Sequence, residues 1–420
     1  TLLQDIVTII GSLGVVHVVV YGFHRREIFA VCFWALCAWG LFIEKKLPVA
    51  LKLAWTVICL VSSVFPLVPV DMGDMTTLLV ASGLGVTVMS LWLCRQLLPL
   101  FNYGLNPREL PTNVASIYFD QVTAEQKGLS RVSLRQWFQI ALVFISTVIV
   151  YTTEKSLKSN NGLPVMNQMA SWAILVVSFT LLVIPGGSYV DVLMNVFLSL
   201  ISPIVLLSIN FEVLFIATFF LFCITWVVME RYLYLASNSD ASSKTAKKHQ
   251  DDSKSNQGYI SLQNVRVAAV YILCCFFAFF GTGNLAGFSG VELSSAFRFQ
   301  TLFDPFLMGA ILILKMVMPF FLLCAVFGVL NRQMNISHQI ASFLVVSLLS
   351  DSMTLDFLLQ VKDYGSWLEI GLSLSNFVML NFFLIFQMLL AGLTNILLRK
   401  LPSGHPKEDH VVGGQHQKDD

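Results

Sequence analysis

Apolar runs of about 20 residues, the length needed to cross a bilayer, recur along the whole chain. They constrain its fold before any motif is considered. Residues 189–208, YVDVLMNVFLSLISPIVLLS, and 211–229, FEVLFIATFFLFCITWVVM, are two such runs separated by a very short gap. Reading every run gives about twelve spans at that length, near 4–23, 28–43, 49–70, 75–93, 136–151, 168–185, 189–208, 211–229, 265–281, 303–330, 339–358 and 367–398. The second and fifth are short. Of the 420 residues, 56% are hydrophobic and only 12% charged, with mean hydropathy +0.74. Soluble domains carry about 25% charged residues, and no aqueous core could hide this much apolar surface. The fold class is therefore all-α, a polytopic transmembrane helix bundle.

The polar stretches divide the chain into parts. Helices occupy 1–93, and 94–135 is an amphipathic connection containing NPRELP and DQVTAEQKGLSR. Spans resume over 136–236. Residues 237–258, SNSDASSKTAKKHQDDSKSNQG, are nearly free of apolar groups and are expected to be disordered. The last spans fill 259–401, and the tail 402–420 is expected to be disordered. Pro66, Pro69, Pro203 and Pro319 fall in or near spans and are expected to kink them. Lys45, Lys46, the 94–135 and 237–258 segments, Arg332 and the tail lie on one side. Only Arg25, Arg26, Lys155, Lys158, Arg298 and Lys362 lie on the other. Positive residues concentrate on the cytosolic side of membrane proteins, so the tail is assigned to the cytosol and the opposite loops to a lumen.

Net charge is +1, and no long basic block points to nucleic acid. The eight cysteines form no C-x-x-C pair and lie mostly in apolar runs, so neither a disulfide framework nor a zinc site is indicated. The chain begins at Thr1 without a signal peptide, as a piece of a longer protein would.

One residue breaks the apolar pattern. Lys315 sits deep in FDPFLMGAILILKMVMPFFLLC, residues 303–324, where a charge costs roughly 2.5 kcal/mol or more at a bilayer centre. At about 1.5 Å per residue it lies roughly 18 Å below the luminal end of its helix, and Asp351 roughly 10 Å below the end of the next. The two can meet inside the luminal half. One reading is a structural ion pair, or a lysine snorkelling to the headgroups. The other is a polar cavity open to the lumen, because Asp304, Asp356, Asp363 and Glu369 map to the same mouth. An acidic rim above a deeper cation suits a zwitterionic lipid headgroup.

The stretch FFGTGNLAGFSG, 279–290, follows an apolar helix rather than a strand and carries no nucleotide signal. Gly281 and Gly283 are expected to end the helix in a tight luminal loop, with Asn284 placed to hydrogen-bond a headgroup. The seven histidines are scattered; His17 lies in an apolar run and is expected to be satisfied within the bundle. No two-metal cluster and no Ser/His/Asp set stands out, so no catalytic residue and no metal ligand is assigned in this chain.

FFGTGNLAGF (279–288), LFDPFLMGAILILKMVMPF (302–320), LLSDSMTLDF (348–357) and VKDYGSWLEIGLSLSNFV (361–378) together resemble the membrane domain of the GPI ethanolamine phosphate transferase 1 family, also called phosphatidylinositol-glycan class N. The likeness is strongest over 265–398, and Tyr364 to Gly371 discriminates best; Glu369 stands where the family pattern leads one to expect Asp. The resemblance implies a multi-pass enzyme of the endoplasmic reticulum membrane in GPI-anchor biosynthesis. Such enzymes transfer ethanolamine phosphate from phosphatidylethanolamine to the first mannose of the GPI precursor. It also implies a luminal catalytic domain ahead of Thr1, resembling alkaline phosphatase, with a Thr nucleophile and two zinc ions. The present chain would then present lipids to that domain and be inactive alone. The competing class is a lipid or solute transporter or scramblase, for which Lys315, Asp351 and Asp356 suit equally well; the lack of inverted repeats weighs against it.

Overall fold

The computed structural model describes residues 14–22, 25–43, 47–68, 76–97, 133–184, 189–245, 262–281, 295–333, 339–361 and 363–399. Nearly all of these are helical. The helices are α1 (14–22), α2 (Glu27–Ala38), α3 (Val49–Val64), α4 (Thr76–Trp92), α5 (Leu134–Lys158), α6 (Val165–Val183), α7 (Tyr189–Leu207), α8 (Glu212–Thr245), α9 (Leu262–Gly281), α10 (Pro305–Gln333), α11 (Gln339–Leu359) and α12 (Trp367–Leu398). Each expected span has its helix. Among the described residues, 9 helices are long and apolar enough to cross a membrane.

Local chemistry sets several ends. α5 opens on a capping box: Gln136 N donates to Ser133 Oγ at 3.3 Å, and Ser133 N donates to Gln136 Oε1 at 3.1 Å. α3 closes through a short 3-10 turn, Phe65–Leu67, that contains Pro66. Pro203 and Pro319 lie inside α7 and α10; Pro69 falls outside the described residues. α8 runs on to Thr245, into the segment expected to be disordered. Extending a formed helix fixes one residue per new hydrogen bond, so it is easier than nucleating one. The remainder of that segment, most of 94–135 and the tail 402–420 are outside the described residues.

α7 is the axis of the bundle, with 94% of its span buried. α5 and α6 pack along it from one flank and α10 and α8 from the other. α10 in turn packs on α12, α9 and α8, while α11 leans on α9 and α12 and barely touches α10. An aromatic seam joins α2, α3, α8 and α9. Phe33 meets Phe277 at 4.3 Å and Phe222 at 5.4 Å, and Trp55 meets Phe222 at 5.2 Å between centroids. Phe197 of α7 stacks on Phe220 of α8 at 4.0 Å. Such pairs add about 0.5–1.5 kcal/mol beyond area burial, useful where lipid gives helices no hydrophobic reason to associate. Gly83 lets α4 approach α5 closely, since a Cβ there would fall 2.5 Å from Thr147 Oγ1.

Polar contacts sort the helix ends into two faces. On the upper face, Arg26 Nη2 donates to Phe280 O at 3.3 Å and Trp172 Nε1 to Phe299 O at 3.0 Å. Burial lowers the Arg26 pKa, and Glu27 offsets part of that. On the lower face, Arg135 Nη2 reaches both carboxylate oxygens of Asp191 at 2.9 Å, and Arg332 donates to Leu398 O. This is the alternation of crossings expected from the loops.

Candidate functional site

α10 carries Lys315 ten residues after Pro305, about 15 Å along its axis. Its ammonium is paired, but not with Asp351. Nζ lies 2.7 Å from Oε1 of Glu212, the first residue of α8, and the two side chains are only 17% and 14% exposed. The expected Lys315–Asp351 pair is thus corrected. Consecutive helices are neighbours only part of the time, and α11 swings away to α9 and α12, leaving Asp351 exposed. α8 faces α10 instead and delivers Glu212 at the depth of the lysine.

That depth has a cause. The 208–211 turn between α7 and α8 sits well below the upper start of α10, and its residues are buried. Segment 295–300 forms a roof over it. Arg298 Nη1 donates to Leu206 O at 2.8 Å and to Ser208 O at 2.6 Å, closing off carbonyls left open at the end of α7. Ser295, Ala296 and Phe299 are fully buried, and the Trp172 ring meets Phe299 edge-on at 5.4 Å. Beneath the roof, Glu212 Oε2 accepts from Ile209 N at 3.3 Å while Oε1 takes the lysine. An ammonium has three donors, and Glu212 is the partner of Lys315 among the described residues. The remaining donors can meet a phosphate oxygen.

The other residues of the expected mouth are not gathered around Lys315. Asp304 Oδ1 accepts from Phe306 N at 3.0 Å and Leu307 N at 3.3 Å, so it caps α10 just before Pro305. Asp356 Oδ2 lies 2.9 Å from His17 Nδ1. His17 is therefore partnered as expected, but with its side chain 67% exposed rather than enclosed. Asp363 is exposed. Glu369 falls in the first turn of α12, its side chain undescribed, and Asn284 lies outside the described residues. Glu212 escaped the sequence reading because a carboxylate in a first helical turn is an ordinary helix-start residue. The signal that could have found it is its position in a turn too short to leave the membrane.

Two further polar knots hold the bundle. Arg266 grips the fully buried Glu230 through Nε at 3.1 Å and Nη2 at 2.5 Å, with its guanidinium 5.3 Å from the Trp39 ring centroid. Gln139 Nε2 donates to Asn195 Oδ1 at 2.7 Å and Ser199 Oγ at 2.8 Å, and Asn195 Nδ2 serves the final carbonyls of α6. Among the described residues, no three His, Cys, Asp or Glu side chains gather so as to hold a metal ion.

Residues 1–366 match the family described as Phosphatidylinositolglycan class N (PIG-N). The chain is 30% identical over 397 residues to GPI ethanolamine phosphate transferase 1 of Homo sapiens, covering 93% of this chain and 39% of that protein. The same enzyme of Chaetomium globosum is 29% identical over 407 residues, covering 92% and 42%. That of Gibberella zeae is 31% identical over 388 residues, covering 89% and 37%. The chain thus spans about two fifths of the length of these relatives. No solved structure matches it. With an all-helical bundle in place and the family match running through all but the last of its spans, the chain belongs to the phosphatidylinositolglycan class N family.

Proposed function

We propose that this chain is the membrane part of an ethanolamine phosphate transferase of GPI-anchor biosynthesis in the endoplasmic reticulum. The observation that carries the reading is the family match over residues 1–366. In this reading the upper face is luminal and the tail cytosolic. The bundle offers lipid substrates, phosphatidylethanolamine and the GPI precursor, to a luminal catalytic domain of the same protein, where the zinc chemistry would reside. Ethanolamine phosphate goes to the first mannose.

Lys315 and Glu212 supply the headgroup contact. A phosphate takes the free ammonium donors, and the Glu212 carboxylate draws the amine of a zwitterion. The pair lies below the upper start of α10, where an acyl-anchored headgroup can reach it and still project its reactive end upward. Asp304, Asp351, Asp356, Glu369 and Asn284 remain candidates for the rim.

The test is transfer of labelled ethanolamine phosphate by the full-length protein carrying Lys315→Met, Glu212→Gln, or both. The expected outcome is a double variant that regains most of the stability lost in the single variants yet stays strongly impaired in transfer. Recovery of both stability and transfer in the double variant would reduce the pair to a structural one.

A further inference from the structure

At the opposite end of the bundle from Lys315, helices α10, α11 and α12 part to leave a cavity of about 590 Å³. That volume is within the roughly 300–1,000 Å³ of small-molecule sites. It runs from Cys324 to Asn331 along α10, about 10 Å at 1.5 Å per residue. Its walls are mostly apolar, and its rim includes Leu344 and Met388, each 46% exposed on the outer surface of the bundle. The opening therefore faces the surface that lipid covers.

Polarity rises toward the lower face. Asn331, Thr394 and Asn395 line that end. Asn331 is only 5% exposed, and its Oδ1 has no hydrogen-bond partner among the described residues. A buried amide oxygen left unmade costs about 1–3 kcal/mol, so a ligand that meets this amide is stabilised by it. Asn331 stands two residues before the end of α10, the level of the bilayer interface. Turning the amide by half a rotation presents its NH₂ group instead, the donor a lipid ester carbonyl requires. Just beyond it in the chain, the half-buried Arg332, bonded to Leu398 O, and the exposed Arg399 put positive charge at the lower ends of α10 and α12.

An apolar slot open to the bilayer, a lone buried amide at ester depth and cations at phosphate depth follow the layers of a phospholipid in order. We propose that this crevice seats one acyl chain of a glycerophospholipid from the lower leaflet. Asn331 meets its ester region, and Arg332 and Arg399 face its phosphate. This does not rest on the substrate reading, because the crevice lies at the other end of the bundle.

Gly392 lines the crevice, and a Cβ built there meets nothing within 4 Å. A side chain can therefore start at Gly392 without a clash at its Cβ, and Gly392→Leu is the variant chosen to occupy the slot. Gly85, likewise open on α4, gives Gly85→Leu as a control away from the site. The experiment reconstitutes the full-length protein in phosphatidylcholine vesicles containing a phosphatidylcholine with a diazirine on one acyl chain. After irradiation, labelled residues are mapped by mass spectrometry. The expected result is adducts concentrated on 324–331 and 388–395, about tenfold fewer in Gly392→Leu, unchanged in Gly85→Leu, with thermal unfolding unaltered in both. Asn331→Leu is expected to lower the yield about threefold. Equal labelling of wild type and Gly392→Leu, or labelling spread evenly over outward-facing helices, would overturn the proposal. Undiminished labelling in Asn331→Leu would overturn the polar anchor.

Discussion

Glu212 holds Lys315 across the α8–α10 contact at 2.7 Å, although 102 positions of chain separate them, and it does so under a roof pinned by Arg298. Removing either partner leaves a charge largely shut away from water. Breaking a buried pair typically costs about 3–5 kcal/mol. Lys315→Met alone and Glu212→Gln alone are each expected to lower the unfolding temperature of the purified protein. The double substitution is expected to restore most of the loss. Additive losses in such a cycle would mean that the two residues are not coupled.

Arg298 offers a separate handle on the same region. Its two bonds to Leu206 O and Ser208 O are charge-assisted, a class worth about 1.5–3 kcal/mol each. Arg298→Ala is expected to raise hydrogen exchange of the 206–212 amides by at least tenfold, leaving α5 and α6 unaffected. Unchanged exchange at 206–212 would show that the roof is held by its packing alone.

The Glu230–Arg266 pair predicts a failure of conservative replacement. A lysine cannot reproduce the two-point grip or the guanidinium's place over the Trp39 ring. Arg266→Lys is expected to be nearly as destabilising as Arg266→Met, read by thermal unfolding in detergent. Full stability in the lysine variant would show that charge alone suffices.

Sidedness can be read from one sequon. Asn335, Ile336 and Ser337 form the only N-x-S/T motif in the chain, in the connection between α10 and α11 that the charge distribution assigns to the cytosol. With that connection cytosolic, Asn335 is expected to stay unglycosylated in cells. A glycosidase-sensitive mass shift that vanishes in Asn335→Gln would invert the bundle.

On the proposed reading, in which the transfer chemistry resides in a luminal domain outside this chain, the chain alone is expected to show no ethanolamine phosphate transfer and no stoichiometric zinc. Metal analysis finding two tightly held zinc ions per chain would place the chemistry within these helices.

The helices were legible because their apolar length has no other explanation, and α7, α9 and α12 end within a few residues of where hydropathy alone puts them. Lys315 was legible for the complementary reason, as a charge that such a run does not tolerate without a partner. The identity of the partner was not. Periodicity gives the depth of a residue along its own helix but not which helices touch, and α10 turned toward α8 rather than toward α11. The roof was hidden too, since Arg298 sits in a loop whose sequence gives no sign that it folds back onto carbonyls of α7. His17 shows the same limit: a polar residue in an apolar run implied a partner, and Asp356 is that partner, but nothing in the run said that the pair faces outward.

The near-complete enclosure of α7 also bears on how the protein is made. Helices enter the membrane in chain order, and α7 arrives before two of the elements that wrap it, α8 and α10. A nascent chain released before Pro305 would leave the flank of α7 that α10 covers bare to lipid. Ribosome-associated intermediates of that length are accordingly natural clients for intramembrane chaperones. Truncations in the 245–305 interval should be cleared by quality control faster than shorter pieces ending before Tyr189.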